Sequence, residues 1–259
     1  MDKQRADVLL CDRGLAESRT KAQALILAGV VFSGERRIQK PGDLLPQDIP
    51  LTIRERDHPY VSRGGLKLAH ALSYFKVDPQ GLTCLDIGAS TGGFTDVLLR
   101  NGAALVYAVD VGRGQIAEIL RRDPRVRIRE RTNARYLNRE QIPDPIDLIV
   151  CDASFISLKT ILPAPLALAQ PKATLIALIK PQFEVGREHV GKKGVVRDSA
   201  LHETVCQNID AFVTAQGWTV AGITPSPILG PEGNQEFLLA AHRSTTFIDE
   251  SENSRPYLQ

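Results

Sequence analysis

The segment Leu85-Asp-Ile-Gly-Ala-Ser-Thr-Gly-Gly-Phe-Thr-Asp-Val-Leu-Leu99 constrains the fold more than any other part of the chain. A short apolar strand ends in an acid and a glycine, and a turn of small residues follows. Gly92 and Gly93 then open an amphipathic helix with Phe94, Val97 and Leu98 on its apolar face. Strand, glycine turn and helix in this order form a ligand cradle: glycine lets a ligand approach the backbone, and the first free amides of the helix point into the same space. The spacing narrows the choice of ligand. A dinucleotide-binding turn reads G-x-G-x-x-G and holds a pyrophosphate on the helix N-terminus. Here three residues separate Gly88 from Gly92, and Asp86 stands where a pyrophosphate would be repelled.

An acid at that strand end suits a cationic group. A second buried strand, Ala104-Leu-Val-Tyr-Ala-Val-Asp110, also ends in an acid, the usual place for a carboxylate that holds ribose hydroxyls. Thr132-Asn133-Ala134-Arg135 is a polar turn placed where the Asn133 amide can read an adenine. S-adenosyl-L-methionine combines an ammonium, a sulfonium, a ribose and an adenine, so the pattern favours this methyl donor over a nicotinamide.

Strand and helix signals go on alternating: Ile146 to Asp152 and Ala173 to Lys180 as strands, with a helix from about Leu158 to Ala169 between them. A helix from Ser199 to Gln216 and strands at Trp218 to Ile223 and Glu236 to Ala241 close the sheet, the last one antiparallel to its neighbours. In such a fold ligands sit beyond the carboxyl ends of the strands. Asp86, Asp110, Asp152 and Lys180 all fall there, and charges at four apolar strand ends mark a site, because burying them unused is costly. Ser62-Arg63-Gly64-Gly65 is a further glycine turn leading into a helix that carries Lys67. The loop from Pro181 to Asp198, rich in Gly and bearing Arg187, Lys192, Lys193 and Arg197, reads as a lid or substrate clamp.

Residues 1–57 have a different texture. Ser18 caps a helix from Arg19 to Ala28 that ends at Gly29, and Val30 to Ile38 reads as a hairpin turning at Ser33-Gly34. The unit holds ten Lys and Arg against nine Asp and Glu, so any anion-binding face must come from segregation of charge. Residues 54–59 are a charged linker, and 244–259 a polar tail without periodicity.

Composition excludes some classes. The net charge of +2 over 259 residues gives no bulk attraction for nucleic acid. Cys11, Cys84, Cys151 and Cys206 are widely spaced and read as reduced core thiols. No window nears the roughly 20 apolar residues that span a bilayer, and no apolar signal core follows the N-terminus. A cytoplasmic protein without membrane contact is expected, and a monomer, since no exposed apolar helix is evident.

The N-terminal order, with Ser18-Arg19, Ala22, Leu25-Ile26, Gly29-Val30-Val31 and Gly34, resembles the S4 RNA-binding domain. That likeness implies RNA contacts for Arg19, Lys21, Gln23, Arg36, Arg37 and Lys40. Ser62-Arg-Gly-Gly-Leu-Lys-Leu68, Leu85 to Asp96, Cys151-Asp-Ala-Ser-Phe-Ile-Ser157, Ile179-Lys-Pro-Gln-Phe-Glu184 and Gly233-Asn-Gln-Glu-Phe237 resemble the FtsJ-like methyltransferase domain as it occurs in the TlyA family. The resemblance implies an S4 unit over 1–57 and, over 58–243, a Rossmann-like α/β methyltransferase domain with a mostly parallel seven-stranded sheet. It also implies methylation of the cytidine 2'-hydroxyl in 16S or 23S ribosomal RNA or both, with ribosomal subunits as partners.

By the same resemblance, a Lys-Asp-Lys-Glu tetrad falls on Lys67, Asp152, Lys180 and Glu236. Lys180 would accept the hydroxyl proton or stabilise the oxyanion, with the two acids orienting the lysines. The donor would lie against Arg63, Gly64, Asp86, Gly88, Ala89, Ser90, Gly92, Gly93, Phe94, Asp110, Val111, Asn133 and Asp152. Phe155 would stack on the target nucleoside, and Arg187, Lys192 and Lys193 would hold RNA. No metal is implied. A non-catalytic ribosome-assembly factor is the competing reading, and a hemolysin-like lytic protein the third.

Overall fold

A computed structural model describes residues 3–34, 36–54, 58–230 and 233–243, with the backbone alone for Arg187 and Lys192. Linker residues 55–57 and the tail from 244 to 259 lie outside the described residues. In the first unit β1 (Lys3–Arg5) runs into α1 (Ala6–Asp12), followed by α2 (Arg19–Leu27), β2 (Val31–Ser33), β3 (Arg36–Arg37), β4 (Leu44–Pro46) and β5 (Thr52–Ile53). Strand β1 pairs with β4, and β2 pairs with both β3 and β5, all antiparallel. Ser18 is extended and its Oγ accepts the Lys21 amide at 3.2 Å, so α2 starts where a hydroxyl can satisfy a free donor. Leu10, Ile26, Val31 and Ile38 form this unit's own core.

The second unit comprises α3 (Gly64–Phe75), β6 (Thr83–Ile87), α4 (Gly93–Arg100), β7 (Leu105–Val109), α5 (Glu118–Arg121), β8 (Val126–Arg129), β9 (Ile146–Cys151), α6 (Leu158–Ile161), α7 (Pro163–Ala167), β10 (Ala169–Ile179), α8 (Pro181–Glu184), α9 (Ser199–Ala215), β11 (Trp218–Pro225) and β12 (Phe237–Arg243). Its seven strands run in the order β11-β12-β10-β9-β6-β7-β8. Strands β6 to β10 are parallel, and β12 inserts antiparallel between β10 and β11. Alternating side chains feed two cores: Leu148 and Leu178 pack with Leu68 and Val97 on one face, while Ile149 and Ile179 pack with Leu162 and Ile209 on the other. From β6 the chain moves outward to β7 and β8, then returns to place β9 on the opposite side. The crevice this reversal leaves lies beyond the ends of β6 and β9, where doubly wound sheets hold ligands.

Three segments differ from expectation. The helix expected over 158–169 is two short ones, because Pro163 begins a new helix and has no amide to continue the first. The sequence pattern also predicts a helix near Gln115 to Arg122, which contracts to Glu118–Arg121. The loop after Lys180 contains α8 and two single 3-10 turns, Arg187–His189 and Lys192–Gly194. All four cysteines are free. Replacing Ser18 by Ala is expected to destabilise the N-terminal unit by about 1 kcal/mol, measured by denaturant unfolding, with no effect on the sheet of the second unit.

Candidate active site

Four ionisable side chains from distant parts of the chain meet beyond the ends of β9 and β10. Lys67 Nζ donates to Glu236 Oε2 at 2.5 Å. Lys180 Nζ lies 2.6 Å from Asp152 Oδ1 and donates to Ser154 Oγ at 2.8 Å. Lys67, Lys180 and Glu236 are buried, and all four line one cavity of about 560 Å³. Topology explains the convergence. Asp152 follows β9 and Lys180 follows β10, while the register of Ile179 opposite Phe237 brings the start of the antiparallel β12, and so Glu236, to the same edge. Burial works against a charged Lys67, but the carboxylates of Asp152 and Glu236 outweigh it and hold the ammonium above the ordinary lysine range. Asp152 is held below the usual carboxylate range in spite of its burial, by Lys180 first and then Lys67.

The glycine turn forms the neighbouring wall. Arg63, Gly64, Gly88, Ala89, Ser90, Gly93, Phe94 and Asp152 line the cavity. Gly88 has φ +80°, and a side-chain carbon there would stand 2.9 Å from Ala153 Cα, so the turn packs directly on the segment that carries Asp152.

Five residues expected to hold a donor are placed off that wall. Asp86 sits behind the turn, fully buried: its Oδ2 accepts the Thr95 hydroxyl at 2.6 Å, and Oδ1 has no partner among the described residues. Burial pushes its carboxyl up to about 7. Asp110 has spent both oxygens on backbone, accepting the Ser90 amide at 2.8 Å and the Gly112 amide at 2.7 Å, and so braces the turn. Gly92 (φ +94°) faces Leu120, and Val111 is exposed. Asn133 caps the turn that follows it, its Oδ1 accepting the Arg135 amide at 3.1 Å.

Of the expected RNA-binding residues, Arg37, Lys40, Lys193 and Phe155 also line the cavity. Phe155 is 89% exposed at φ +65°, its ring 5.2 Å from that of Phe183. Lys21 and Arg36 face solvent. Arg19 and Gln23 do not form a free row of donors: both hydrogen-bond the buried Asp7, at 3.3 and 2.9 Å, as does Arg5 at 2.9 Å. The side chains of Arg187 and Lys192 lie outside the described residues.

Sequence reasoning missed several contributors. Ser154, two residues past Asp152, was within reach of the motif that contains it. Gly230 leaves room for Glu236, since a side-chain carbon there would come within 2.2 Å of Oε1. Asn234 accepts the Val196 amide at 3.0 Å and donates to the Gly194 carbonyl at 2.9 Å, fastening the basic loop beside the cavity. Ile26, Leu27 and Gly29 of the first unit complete the wall, which follows only from how the two units pack.

A glycine turn beside a buried lysine-carboxylate set at the switch point of this sheet is the arrangement of a Rossmann-like methyltransferase. Residues 60–243 match the FtsJ-like methyltransferase family, and residues 4–48 match the S4 domain. The chain is 50% identical over 241 residues to Bacillus subtilis YqxC, provisionally named an rRNA methyltransferase, covering 93% of this chain and 86% of that one. It is 46% identical over 238 residues to the 16S/23S rRNA (cytidine-2'-O)-methyltransferase TlyA of Mycobacterium tuberculosis, covering 92% and 89%. A solved Streptococcus thermophilus protein with a provisional hemolysin name superposes with a TM-score of 0.74 at 44% identity, covering 95% and 90%. The chain thus belongs to the FtsJ-like methyltransferases and, within them, to the TlyA group, which joins an S4 domain to the catalytic one.

Two outcomes follow from this geometry. Gly88→Ala, strained at positive φ and blocked by the Ala153 backbone, is expected to abolish saturable donor binding in calorimetry. Burial pushes the folded Asp86 carboxyl up to about 7, against about 4 for an unfolded aspartate, so its ionisation lowers stability as pH rises through that interval. The thermal midpoint of Asp86→Asn is therefore expected to gain on that of the wild type between pH 5 and 8; a difference independent of pH would contradict the assignment.

Proposed function

We propose that this protein transfers the methyl group of S-adenosyl-L-methionine to the ribose 2'-hydroxyl of a cytidine in 16S or 23S ribosomal RNA or both, acting on ribosomal subunits as a cytoplasmic monomer. Residues 1–57 are read as its S4 unit, 58–243 as the methyltransferase unit and 244–259 as a polar tail. The observation that carries this reading is the pairing of Lys67 with Glu236 and of Lys180 with Asp152 in the cavity that the glycine turn also lines.

The donor fits the residues present. A turn that only glycine can make at Gly88 lets a ligand reach the backbone, and a cavity of about 560 Å³ is within the range of cofactor sites. Arg63, Gly64, Ala89, Ser90, Gly93 and Phe94 would hold the donor beside Gly88, with Asp86, Gly92, Asp110, Val111 and Asn133 supporting the turn and its rim. When bound, it supplies a methyl group made electrophilic by a sulfonium. A ribose hydroxyl is a poor acid and attacks only as its proton leaves. Lys67, held charged by two carboxylates, stabilises the developing alkoxide. Proton acceptance then falls to Lys180 once its ammonium has released a proton to solvent, leaving a free amine whose Nζ is positioned by Asp152 and Ser154. The exposed Phe155 ring, backed by Phe183, gives an unpaired base a stacking face worth about 1 to 3 kcal/mol.

The test is transfer of labelled methyl from the donor to purified ribosomal subunits, with the modified nucleotide mapped. Label on a cytidine 2'-oxygen is expected, and Lys180→Ala is expected to lower the rate at least about 100-fold with donor affinity retained. Label on a base, or full activity in Lys180→Ala, would refute the reading.

A further inference from the structure

Arginine is distributed unevenly along this nearly neutral chain. Residues 113–139 hold nine arginines against three acids, although the whole protein carries only +2, so the remainder is net negative. The segment spans α5 and β8, an edge strand of the sheet that, among the described residues, pairs only with β7. Each of its acids already has an arginine partner: Glu118 with Arg122 at 2.8 Å, Asp123 with Arg125 at 2.7 Å and Glu130 with Arg121 at 2.6 Å. Six arginines remain without a carboxylate among the described residues. Five of them, Arg113, Arg127, Arg131, Arg135 and Arg139, are exposed. Just beyond the strand, Tyr136 is 68% exposed, with the Arg135 guanidinium 5.2 Å from its ring centre.

This edge adjoins the S4 unit. A side-chain carbon at Gly114 would lie 3.7 Å from Thr20 Cγ2, so the first turn of α2 lies close to the loop carrying Arg113. The other end of α2, at Ile26 and Leu27, lines the catalytic cavity. Nine helical residues rise about 14 Å, so α2 leads from the arginine edge to the cavity mouth.

We propose that the β8 edge is a second RNA-binding surface on the methyltransferase unit, continuous with α2, that grips the phosphate backbone of the substrate beside the nucleotide entering the cavity. Unmatched guanidinium groups interleaved with an exposed aromatic ring fit phosphates and sugars. A protein partner fits less well, because the centres of protein interfaces are depleted in charge. The proposal rests on the reading of the substrate as ribosomal RNA.

The full-length protein carrying Arg113→Gln, Arg127→Gln and Arg131→Gln together tests it. Binding to protein-free ribosomal RNA and to intact subunits is measured over a salt series, with kcat and KM for subunits. The slope of log K against log salt is expected to become shallower by about 2 to 3, since each neutralised phosphate contributes about 0.7 to 0.9. KM is expected to rise at least about tenfold, with kcat, donor affinity and thermal midpoint unchanged. A control variant, Lys76→Gln, Lys159→Gln and Lys172→Gln, removes equal charge from other exposed sites and is expected to leave the slope as it is. An unchanged slope in the arginine variant, or an equal loss in the control, would overturn the proposal. So would weakened binding to subunits with full binding to protein-free RNA, which would assign the edge to a ribosomal protein. If the wild type bound RNA with the expected salt slope but methylated none, the reading of the substrate would fail while the surface stood.

Discussion

The structure depends on two buried lysines each finding a carboxylate from another element. An ammonium taken out of water costs several kcal/mol unless it is paired and hydrogen-bonded, and removing one partner leaves the other stranded at a cost of about 3–5 kcal/mol. Lys67 comes from α3 and Glu236 from the start of β12, 169 positions apart. Their meeting depends on the antiparallel strand in an otherwise parallel succession. A parallel strand beside β10 would deliver its carboxyl end to the cavity and leave residue 236 at the opposite edge. Running β12 the other way brings its first residues beside Lys180. The reversal of one strand is thus what assembles the tetrad.

What the sequence discloses and conceals follows from the range of the forces involved. The run from Leu85 to Phe94 is legible because strand, tight turn and helix start are local signals, and Gly88 behaves as such a turn requires. The positions of Asp86 and Asp110 at strand ends are legible as well, but not what they bond. The amides of Ser90 and Gly112 each donate to one oxygen of Asp110, while Asp86 accepts the Thr95 hydroxyl behind the turn. Lys67 shows the same limit from the other side. The sequence of this helix puts Leu66, Ala69 and Leu72 or Leu68 on an apolar stripe, and Lys67 lies off it, as an exposed residue would. Yet Gly65, Lys67, Leu68, Ala71 and Leu72 are the buried positions of α3, because the helix is covered by α4 and the sheet and also borders the cavity. A residue facing a polar cavity leaves no hydrophobic period to read.

The S4 unit illustrates how near-neutral composition and local charge coexist. Asp7 is fully buried at the start of α1 and accepts from Arg5, Arg19 and Gln23. Burial opposes its charge, but these hydrogen bonds hold it well below the usual carboxylate range. The Arg5 and Arg19 side chains keep about half their surface in solvent while their orientation is fixed from beneath. An acid placed under the cations therefore organises the face instead of cancelling it, and a count of charges along the sequence reads the two situations alike.

The same division of charge extends to the whole molecule. Two lysines against two carboxylates make the tetrad close to neutral, so a cationic donor and a polyanionic substrate can enter one cavity without either being strongly repelled. Attraction for phosphate must then come from outside the reacting centre, where it does not perturb the lysines. The S4 helix and the loop held by Asn234 border the cavity, and the arginine edge lies at the far end of that helix, all of them outside the tetrad. Had such positive charge stood beside Lys67, it would have opposed the ammonium that Asp152 and Glu236 sustain, as Arg63 already does in small measure. Separating the grip on RNA from the chemistry lets one fold satisfy both demands, in a chain of almost no net charge that gathers nine of its 22 arginines between residues 113 and 139.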